Sequence, residues 1–480
     1  MASVLTTSLA RIASRWSSRL QNNLNGPTGS RHPSEYASDR SRSPERKLSP
    51  TTSRNGTKSP SLCFCVEYWP AYMGSDKRIG FFAKQIAETK NVSIIVYPPL
   101  RILAGYVESE AARTLLRPHL EGRGIRDEST VHYVRLPRFL PLLWKRSDTL
   151  GYALTLLVCF LGSVRIFSKL SPDVVVLGHP SYLCGLVGMF QAKIRGRRLV
   201  LDYPDPWTEL TLETMGWSEH GLRKVLLGRL ETIVVKAADV VACASGPIAR
   251  LATSMRGRHD GVHMIPNGVD STAFDPKRFN LNTTEKHSER TVVFVGRIEK
   301  WSGVESLVNA AEISVRSWPD IRFLLVGDGL ERKRIQSLVS GKGLNNTVQL
   351  AGFKAPEDIP KILVASDIAV LTIGNSRLSN MISPLKLFEY MAMAKPLVVT
   401  DTESVREIVK NGRTGILVDT EDSSKVSAAI LTLLNNPSLA VEMGQRARES
   451  ILPSHSWTTL ADNFFQACTS MANRSADHPV

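Results

Sequence analysis

The sequence of 480 residues has little of what marks several common classes of protein. Its six cysteines show no CxxC spacing and no neighbouring histidine cluster, so a zinc site or a redox dithiol is not expected. No stretch reaches the roughly 18 consecutive apolar residues of a transmembrane helix, and the nearest is the uncharged segment 149–164. A full GxGxxG dinucleotide fingerprint is also missing. The cysteines are predicted to be buried thiols of a reducing compartment.

Positive charge is in excess and unevenly distributed. The chain carries a net charge of +15, and residues 1–60 hold eight arginines and two lysines against three acidic residues. This first segment is rich in serine, arginine and proline, so it is predicted to be a disordered tail. Its start resembles an organelle transit peptide, and a solvated tail is the alternative. The basic excess suits an anionic substrate or an anionic membrane surface, whereas no recognised motif supports nucleic acid as a partner.

From residue 62 onwards, strand-like and helix-like segments alternate. Strand-like segments with valine, or with valine and leucine, recur at 172–178, 197–204 and 238–245, and a second series begins at Thr291. Between them lie segments with apolar residues at helical spacing. The alternation predicts an α/β protein with two parallel, doubly wound sheets, whose ligands bind at the carboxyl ends of the strands.

Glycine, basic and acidic residues follow three strand-like segments of the second series. They are Gly296 and Arg297 in VGRIEKW, Gly327 and Gly329 in VGDG, and Ser383, Lys386 and Glu389 in SPLKLFEYMA. A glycine after a strand lets the backbone approach a phosphate, and helix N-termini and basic side chains favour its negative charge. Glu389 is a carboxylate that can accept hydrogen bonds from both hydroxyls of a ribose. VGDG alone is a weak signal, because strands often end in a glycine-rich turn.

Four segments in order resemble the family-four retaining glycosyltransferases, which have the GT-B fold, with two Rossmann-like lobes facing a central cleft. They are IPNGVDSTAFDP (265–276), VGRIEKWSGV (295–304), SPLKLFEYMAMAKPLVVTD (383–401) and NGRTGILVD (411–419). The resemblance implies that Glu389 binds the nucleotide ribose, that Arg297 binds the diphosphate, and that the glycine-rich strand ends approach the nucleotide and the sugar. The SPLKLFEYMA variant is similar to a subgroup that makes surface polysaccharides.

The resemblance also implies a domain organisation. Residues 1–60 are the tail, 61–280 an N-terminal acceptor-side domain, 281–455 a C-terminal nucleotide-sugar-binding domain, and 456–480 a helix that returns to the N-terminal lobe. In the second domain, Arg297, together with Lys386, is expected to stabilise the departing diphosphate. Because the sequence has no D-x-D carboxylate pair, neither a metal nor another cofactor is expected.

Two positions depart from the pattern of the family. Ser302 stands six residues after Gly296, where the family usually carries a lysine, so Lys386 or Lys300 would take that place. Met381 stands where a glutamate usually touches the donor sugar, which leaves the identity of the sugar open.

Candidate residues in the first lobe each have two interpretations. Asp205, in DYPDPW, either contacts the acceptor or the donor sugar as a catalytic residue, or caps a helix while Trp207 packs against the cleft wall. His179, at a strand end, is either a base or a structural residue. The basic and apolar stretch 135–165 predicts either an interfacial membrane patch or a long buried helix after a basic loop.

The sequence thus predicts transfer of a sugar from a UDP- or GDP-linked donor to a glycan or lipid-linked acceptor, with retention. The protein is expected in the cytoplasm, free or peripheral on a membrane, or in an organelle addressed by the basic N-terminus. The alternative is a catalytically silent GT-B protein that binds or scaffolds partners in glycan assembly. Ser302 and Met381 favour that alternative, and intact Arg297, Lys386 and Glu389 count against it.

Overall fold

A computed structural model describes most of the chain after the tail. The described residues are 59–67, 74–98, 116–120, 131–137, 139–140, 148–178, 182–215, 221–279, 290–419 and 421–470. The chain divides into two compact units, Met1–Tyr72 with Ile86–Val200 and Met73–Gln85 with Leu201–Val480. The candidate base His179 and nearly all of the predicted tail lie outside the described residues. The domain boundaries drawn from the sequence stay predictions.

The first sheet is parallel and is built from buried, valine-rich strands. The elements in its half of the chain are β1 (Leu62–Val66), α1 (Gly74–Ala87), β2 (Val92–Val96), β3 (Val131–Tyr133), α2 (Asp148–Leu170), β4 (Val174–Leu177), α3 (Tyr182–Ile194), β5 (Arg198–Tyr203), α4 (Trp207–Met215), α5 (Leu222–Ala237), β6 (Val240–Cys243), α6 (Gly246–Arg256) and β7 (Val262–Met264). The strand order is β3-β2-β1-β4-β5-β6-β7. β1, β4 and β6 are buried along their whole length, as expected for strands covered on both faces.

The second sheet lies wholly in the second unit and has the order β10-β9-β8-β11-β12-β13. Its elements are β8 (Arg290–Val295), α7 (Val304–Ser317), β9 (Ile321–Val326), α8 (Arg332–Gly341), β10 (Val348–Gly352), α9 (Ile359–Ala365), β11 (Ile368–Leu371), α10 (Leu385–Ala392), β12 (Leu397–Thr400), α11 (Glu403–Ile408), β13 (Ile416–Val418), α12 (Ser423–Asn435), α13 (Pro437–Ile451) and α14 (Trp457–Thr469). β8 pairs with both β9 and β11, so the strand order reverses at this point. Ligands of doubly wound sheets bind outside the carboxyl ends of the strands at such a point.

Alternate residues of β8 enter two separate cores, one on each face of the sheet. Val292 and Phe294 pack with α7 and α12 residues on one side. Val293 and Val295 pack on the other side with the α10 helix, including the buried side chain of Phe388. Because successive side chains of a strand point to opposite faces, this short apolar run covers both cores. The predicted parallel α/β architecture is confirmed.

Short elements and one long helix differ from the expectations. The strands β3 and β7 were not predicted, because three residues are too few to show a period. No stretch of the sequence has about 18 consecutive apolar residues, but the window Gly151–Leu170 of α2 is long and apolar enough to cross a membrane by length and composition. The unbroken uncharged run ends before Arg165, but the helix continues to Leu170. A single helix of this kind is weak evidence for a membrane span, since core helices pass the same test.

The helix α2 buries one stripe and exposes another, so it is not a fully buried helix, and the membrane patch stays a prediction. Thr155, Cys159 and Phe167 are buried, whereas Leu157 and Leu161 are 52% and 59% exposed. All six cysteines of the chain are buried free thiols, as predicted; that they belong to a reducing compartment stays a prediction.

Candidate active site

The turn after β8 is packed against the turn after β9 through glycines. A β-carbon at Gly327, where φ is +139°, would lie 1.8 Å from the carbonyl oxygen of Gly296. A β-carbon at Gly329 would lie 2.1 Å from the carbonyl oxygen of Ile298. The need for glycine at 327 and 329 is therefore explained by the contact of two backbone turns. Binding of a ligand by these glycines stays a prediction.

Arg297 is held beside the strand end by a carboxylate that the sequence did not single out. Its Nη2 lies 2.9 Å from Oε1 of Glu299, and the Arg297 side chain is 40% exposed while that of Glu299 is 8% exposed. The guanidinium is thus presented to solvent by a nearly buried partner. This arrangement orients Arg297 and at the same time balances its charge.

Ser302 closes the turn in which it lies. Its hydroxyl donates to the Glu299 carbonyl at 2.6 Å and accepts from the Glu299 N–H at 3.1 Å, and the Glu299 side chain accepts from the Ser302 N–H. This is a reciprocal capping box around the short helix Lys300–Ser302. The side chain of Ser302 is buried and engaged, so it cannot serve as a substitute for a cation.

Lys386 and Glu389 share the first turns of α10 and form an ion pair. The ammonium of Lys386 lies 2.6 Å from Oε2 of Glu389, and the two side chains are 26% and 13% exposed. Their spacing of three residues places them on one face of the helix. The structure therefore brings together the two groups to which the resemblance gave separate roles.

Tyr390 connects this helix to the end of β8. The N–H of Val295 donates to the phenol oxygen of Tyr390 at 2.7 Å, and the phenol donates to the Val295 carbonyl. Tyr390 is fully buried, and burial is the main reason why its pKa is raised. Since Gly296 follows Val295 and Glu389 precedes Tyr390, the two halves of the candidate site are neighbours.

The loop before α10 is held by side chains from elsewhere in the second unit. The hydroxyl of Ser245 donates to the Met381 carbonyl, that of Ser404 to the Ile382 carbonyl, and the amide of Asn267 to the Ser383 carbonyl, each at 2.6 Å. Carbonyls fixed in this way position Ser383 at the entrance of α10. The Met381 side chain is buried. It does not offer the polar group that a glutamate would present at this position.

Arg78, on α1, is a fully buried arginine that sequence reasoning missed. Its Nε donates to Asp202 at 2.9 Å, and its two terminal nitrogens donate to the carbonyls of Ile265 and Pro266 at 2.6 and 2.7 Å. It also donates to the side chain of Asn267 at 3.1 Å. Burial raises the pKa of Asp202, and the charge and hydrogen bond of Arg78 oppose that rise. The sequence did contain one sign of this role, because the arginine lies on the same face of α1 as the apolar residues of that helix.

Asp205 is half-buried in the turn between β5 and α4. The structural role proposed for Asp205 is to cap α4, and Glu231 also caps this helix. The carboxylate of Glu231 accepts from the N–H of Trp207 at 2.5 Å and from that of Thr208 at 3.2 Å. Trp207 is fully buried, and its packing against the cleft wall stays a prediction. A catalytic role of Asp205 stays a prediction.

Among the residues that the structure describes, no three His, Cys, Asp or Glu side chains come together as metal ligands. Cations at the site are instead supplied by side chains. The independence from metals that the sequence suggests stays a prediction.

Comparison with known families accounts for most of the chain. The family described as "Glycosyl transferases group 1" matches residues 277–450, and the "Glycosyl transferase 4-like domain" matches residues 94–268. The chain belongs to this glycosyltransferase family.

Curated relatives of this glycosyltransferase are similar over parts of their length. Alpha-D-kanosaminyltransferase of Streptomyces kanamyceticus is 31% identical over 32% of this chain and 39% of its own length. D-inositol 3-phosphate glycosyltransferase of Corynebacterium urealyticum is 25% identical over 68% of this chain and 78% of its own. The lipopolysaccharide core biosynthesis glycosyltransferase LpsE of Rhizobium meliloti is 27% identical over 48% and 64%. The chain thus spans less than two thirds of the length of most of these relatives.

Solved structures show the same fold. Anabaena HepE, in a crystal structure with UDP, has a TM-score of 0.63 at 18% identity and covers 86% of this chain and 100% of its own. Sucrose-phosphate synthase of Thermosynechococcus elongatus has a TM-score of 0.64 at 19% identity and covers 85% and 98%. The predicted GT-B fold is confirmed.

Proposed function

We propose that this glycosyltransferase transfers a sugar from a nucleoside-diphosphate sugar to a hydroxyl group of a glycan or lipid-linked acceptor. The observation that carries the proposal is the hydrogen bond of Tyr390 to Val295 at the switch point of the second sheet. It joins the strand that ends before Gly296 and Arg297 to the helix that carries Lys386 and Glu389. A carboxylate next to two cations and a glycine turn suits a ribose joined to a diphosphate. The UDP bound by HepE supports a nucleotide-linked donor.

The roles of the side chains follow from the charge that develops in the reaction. The bond between the anomeric carbon and the diphosphate oxygen breaks, and a bond from that carbon to the acceptor oxygen forms on the same face, with retention. Arg297 and Lys386 stabilise the negative charge that grows on the departing diphosphate. The diphosphate oxygen takes the proton of the acceptor hydroxyl, so the step needs no separate side-chain base. Glu389 holds the ribose throughout.

A screen of nucleotides and nucleotide-sugars as ligands tests this proposal directly. Thermal shift with UDP, GDP and their sugars identifies the nucleotide, and release of the free nucleotide during incubation with acceptors measures transfer. The configuration of the new linkage, read by NMR, tests retention. Stable binding of a nucleotide-sugar with neither hydrolysis nor transfer to any lipid-linked or glycan acceptor would instead favour a catalytically silent scaffold.

We also propose that the protein meets its acceptor at an anionic membrane. The exposed residues Leu157 and Leu161 of α2 lie about two turns and one turn before Arg165, which is exposed as well. Lys169 continues the basic side of the same helix. Exposed apolar residues with adjacent basic side chains suit the interface of an anionic bilayer, where a lipid-linked acceptor would be found.

A further inference from the structure

The cations described so far are each balanced by a carboxylate. Arg297 pairs with Glu299 at 2.9 Å, and Lys386 pairs with Glu389 at 2.6 Å. The two pairs have no net charge, whereas the diphosphate of a nucleotide-sugar is polyanionic. Favourable binding of the diphosphate therefore calls for a cation that is not already neutralised by its own partner.

The first turn of α1 is fixed beside the start of α10 by a chain of hydrogen bonds. Arg78 donates to the side-chain oxygen of Asn267 at 3.1 Å, and the Asn267 amide donates to the Ser383 carbonyl at 2.6 Å. Because Arg78 also bonds Asp202 and two carbonyls, α1 has little freedom to shift at this point. Lys77, the preceding residue, belongs to this anchored turn.

Lys77 has the surroundings of a cation that lacks its counter-ion. The side chain is half-buried, and within the described part of the chain it donates no hydrogen bond. Burial lowers the pKa of Lys77, the positive charge of Lys386 lowers it further, and Glu389 opposes both effects. The ammonium of Lys77 is thus close enough to the Lys386–Glu389 pair to feel both charges. A buried, repelled ammonium is stabilised when an anion arrives.

We propose that Lys77 binds the diphosphate of the nucleotide-sugar and supplies the site with a cation that forms no ion pair with a described residue. This inference rests on the proposed function and assigns a binding residue on α1 that the family motifs do not include. Lys77 fills the need that Ser302 cannot meet, since the Ser302 hydroxyl is used inside its own turn. Lys300, the other candidate named from the sequence, is exposed to solvent.

The arrangement also explains why Arg78 is buried. An arginine in the core costs free energy unless all its donors are satisfied, and here they bind a carboxylate, an amide oxygen and two carbonyls. Such an anchor holds the neighbouring ammonium in place against the repulsion of Lys386. Arg78 is a positioning residue, and Lys77 is the group that touches the ligand.

The test compares ligands with and without the diphosphate. Affinities of the full chain for UDP and GDP, and for uridine and guanosine by competition, are measured for the wild type and for Lys77→Gln, Lys77→Arg and Lys84→Gln. Lys84 is a matched control, because it lies on the same helix and is exposed. Loss of one charge-assisted hydrogen bond predicts that Lys77→Gln weakens diphosphate binding about tenfold to a hundredfold. Nucleoside binding stays unchanged, Lys77→Arg keeps most of the diphosphate affinity, and Lys84→Gln behaves as the wild type.

Each contrary result has a distinct meaning. If Lys77→Gln binds the diphosphate as the wild type does, the assignment of Lys77 is wrong while the proposed function stands. If nucleoside and diphosphate affinities fall equally, Lys77 supports the structure and the assignment is again wrong. If the wild type binds neither UDP nor GDP, the proposed function and this inference fail together. Lys77→Met, which keeps the aliphatic stem, gives the same comparison should the glutamine variant not fold.

Discussion

The phenol of Tyr390 and the backbone of Val295 bond each other across 95 residues of chain, at 2.7 Å for the Val295 N–H and 3.3 Å for the Val295 carbonyl. One buried side chain thereby joins the end of β8 to α10. Gly296 and Glu389 are the chain neighbours of these two residues, so the nucleotide site depends on a contact that no ligand makes. The stability of this contact and the affinity for the donor are therefore expected to be linked.

Tyr390→Phe removes the phenol and leaves the buried N–H of Val295 without its acceptor. The variant should lose about 1–3 kcal/mol of unfolding free energy and should bind the nucleotide more weakly. Denaturant unfolding and nucleotide calorimetry measure the two effects. Tyr97→Phe removes another fully buried phenol, in the first unit, and should leave nucleotide affinity unchanged. Equal nucleotide affinities for Tyr390→Phe and the wild type would contradict the role given to Tyr390.

Glu389→Ala and Lys386→Ala should differ in their kinetics. Glu389 holds the ribose in the ground state and in the transition state alike, so its loss should mainly raise the donor KM. Lys386 meets charge that grows as the diphosphate leaves, so its loss should lower kcat more than it weakens donor binding. Glu442→Ala breaks an exposed ion pair with Arg446 on α13 and serves as the control. An unchanged KM and nucleotide affinity in Glu389→Ala would rule out the ribose assignment.

His119 should make the stability of the protein depend on pH. Burial lowers its pKa from 6.5 to about 4, partly offset by the hydrogen bond to the Val134 carbonyl. The unfolded chain binds the proton first as the pH falls, so stability is full above about pH 6.5 and is lost progressively towards pH 4. The loss amounts to about 3 kcal/mol. Between pH 7 and pH 4.5, the fall in the thermal unfolding temperature should be smaller in His119→Gln than in the wild type. The exposed control His259→Gln should show the same fall as the wild type.

The exposed face of α2 should bind anionic bilayers. Leu157→Glu with Leu161→Glu places negative charge on this face, and co-sedimentation with vesicles containing acidic lipid should fall strongly, because charge and apolar burial both become unfavourable. Val441→Glu changes an equally exposed apolar residue on α13 and should have no effect. Equal recovery of the wild type with neutral and acidic vesicles would remove the electrostatic part of the proposal.

Local patterns were sufficient for the elements and for one half of the site. Short apolar runs with paired valines predict β8 and β12, because the alternation of side chains needs only a few successive residues. Helical spacing likewise predicts that Lys386 and Glu389 meet, since residues three apart are neighbours on a helix. The four ordered motifs then identified the family before any contact was known.

Partners distant in sequence were decided only by the tertiary structure. Arg78 meets Asp202 across 124 residues, and Asn267 meets Ser383 across 116. No periodicity records such a choice, because it depends on which surfaces pack once the sheets have formed. For the same reason, the sequence pointed to Asp205 at the start of α4 and missed Glu231, which accepts hydrogen bonds from the backbone there. The sequence by itself determined the two parallel sheets and the residues at their strand ends; only packing decided which buried charges anchor α1 and bring Lys77 to the site.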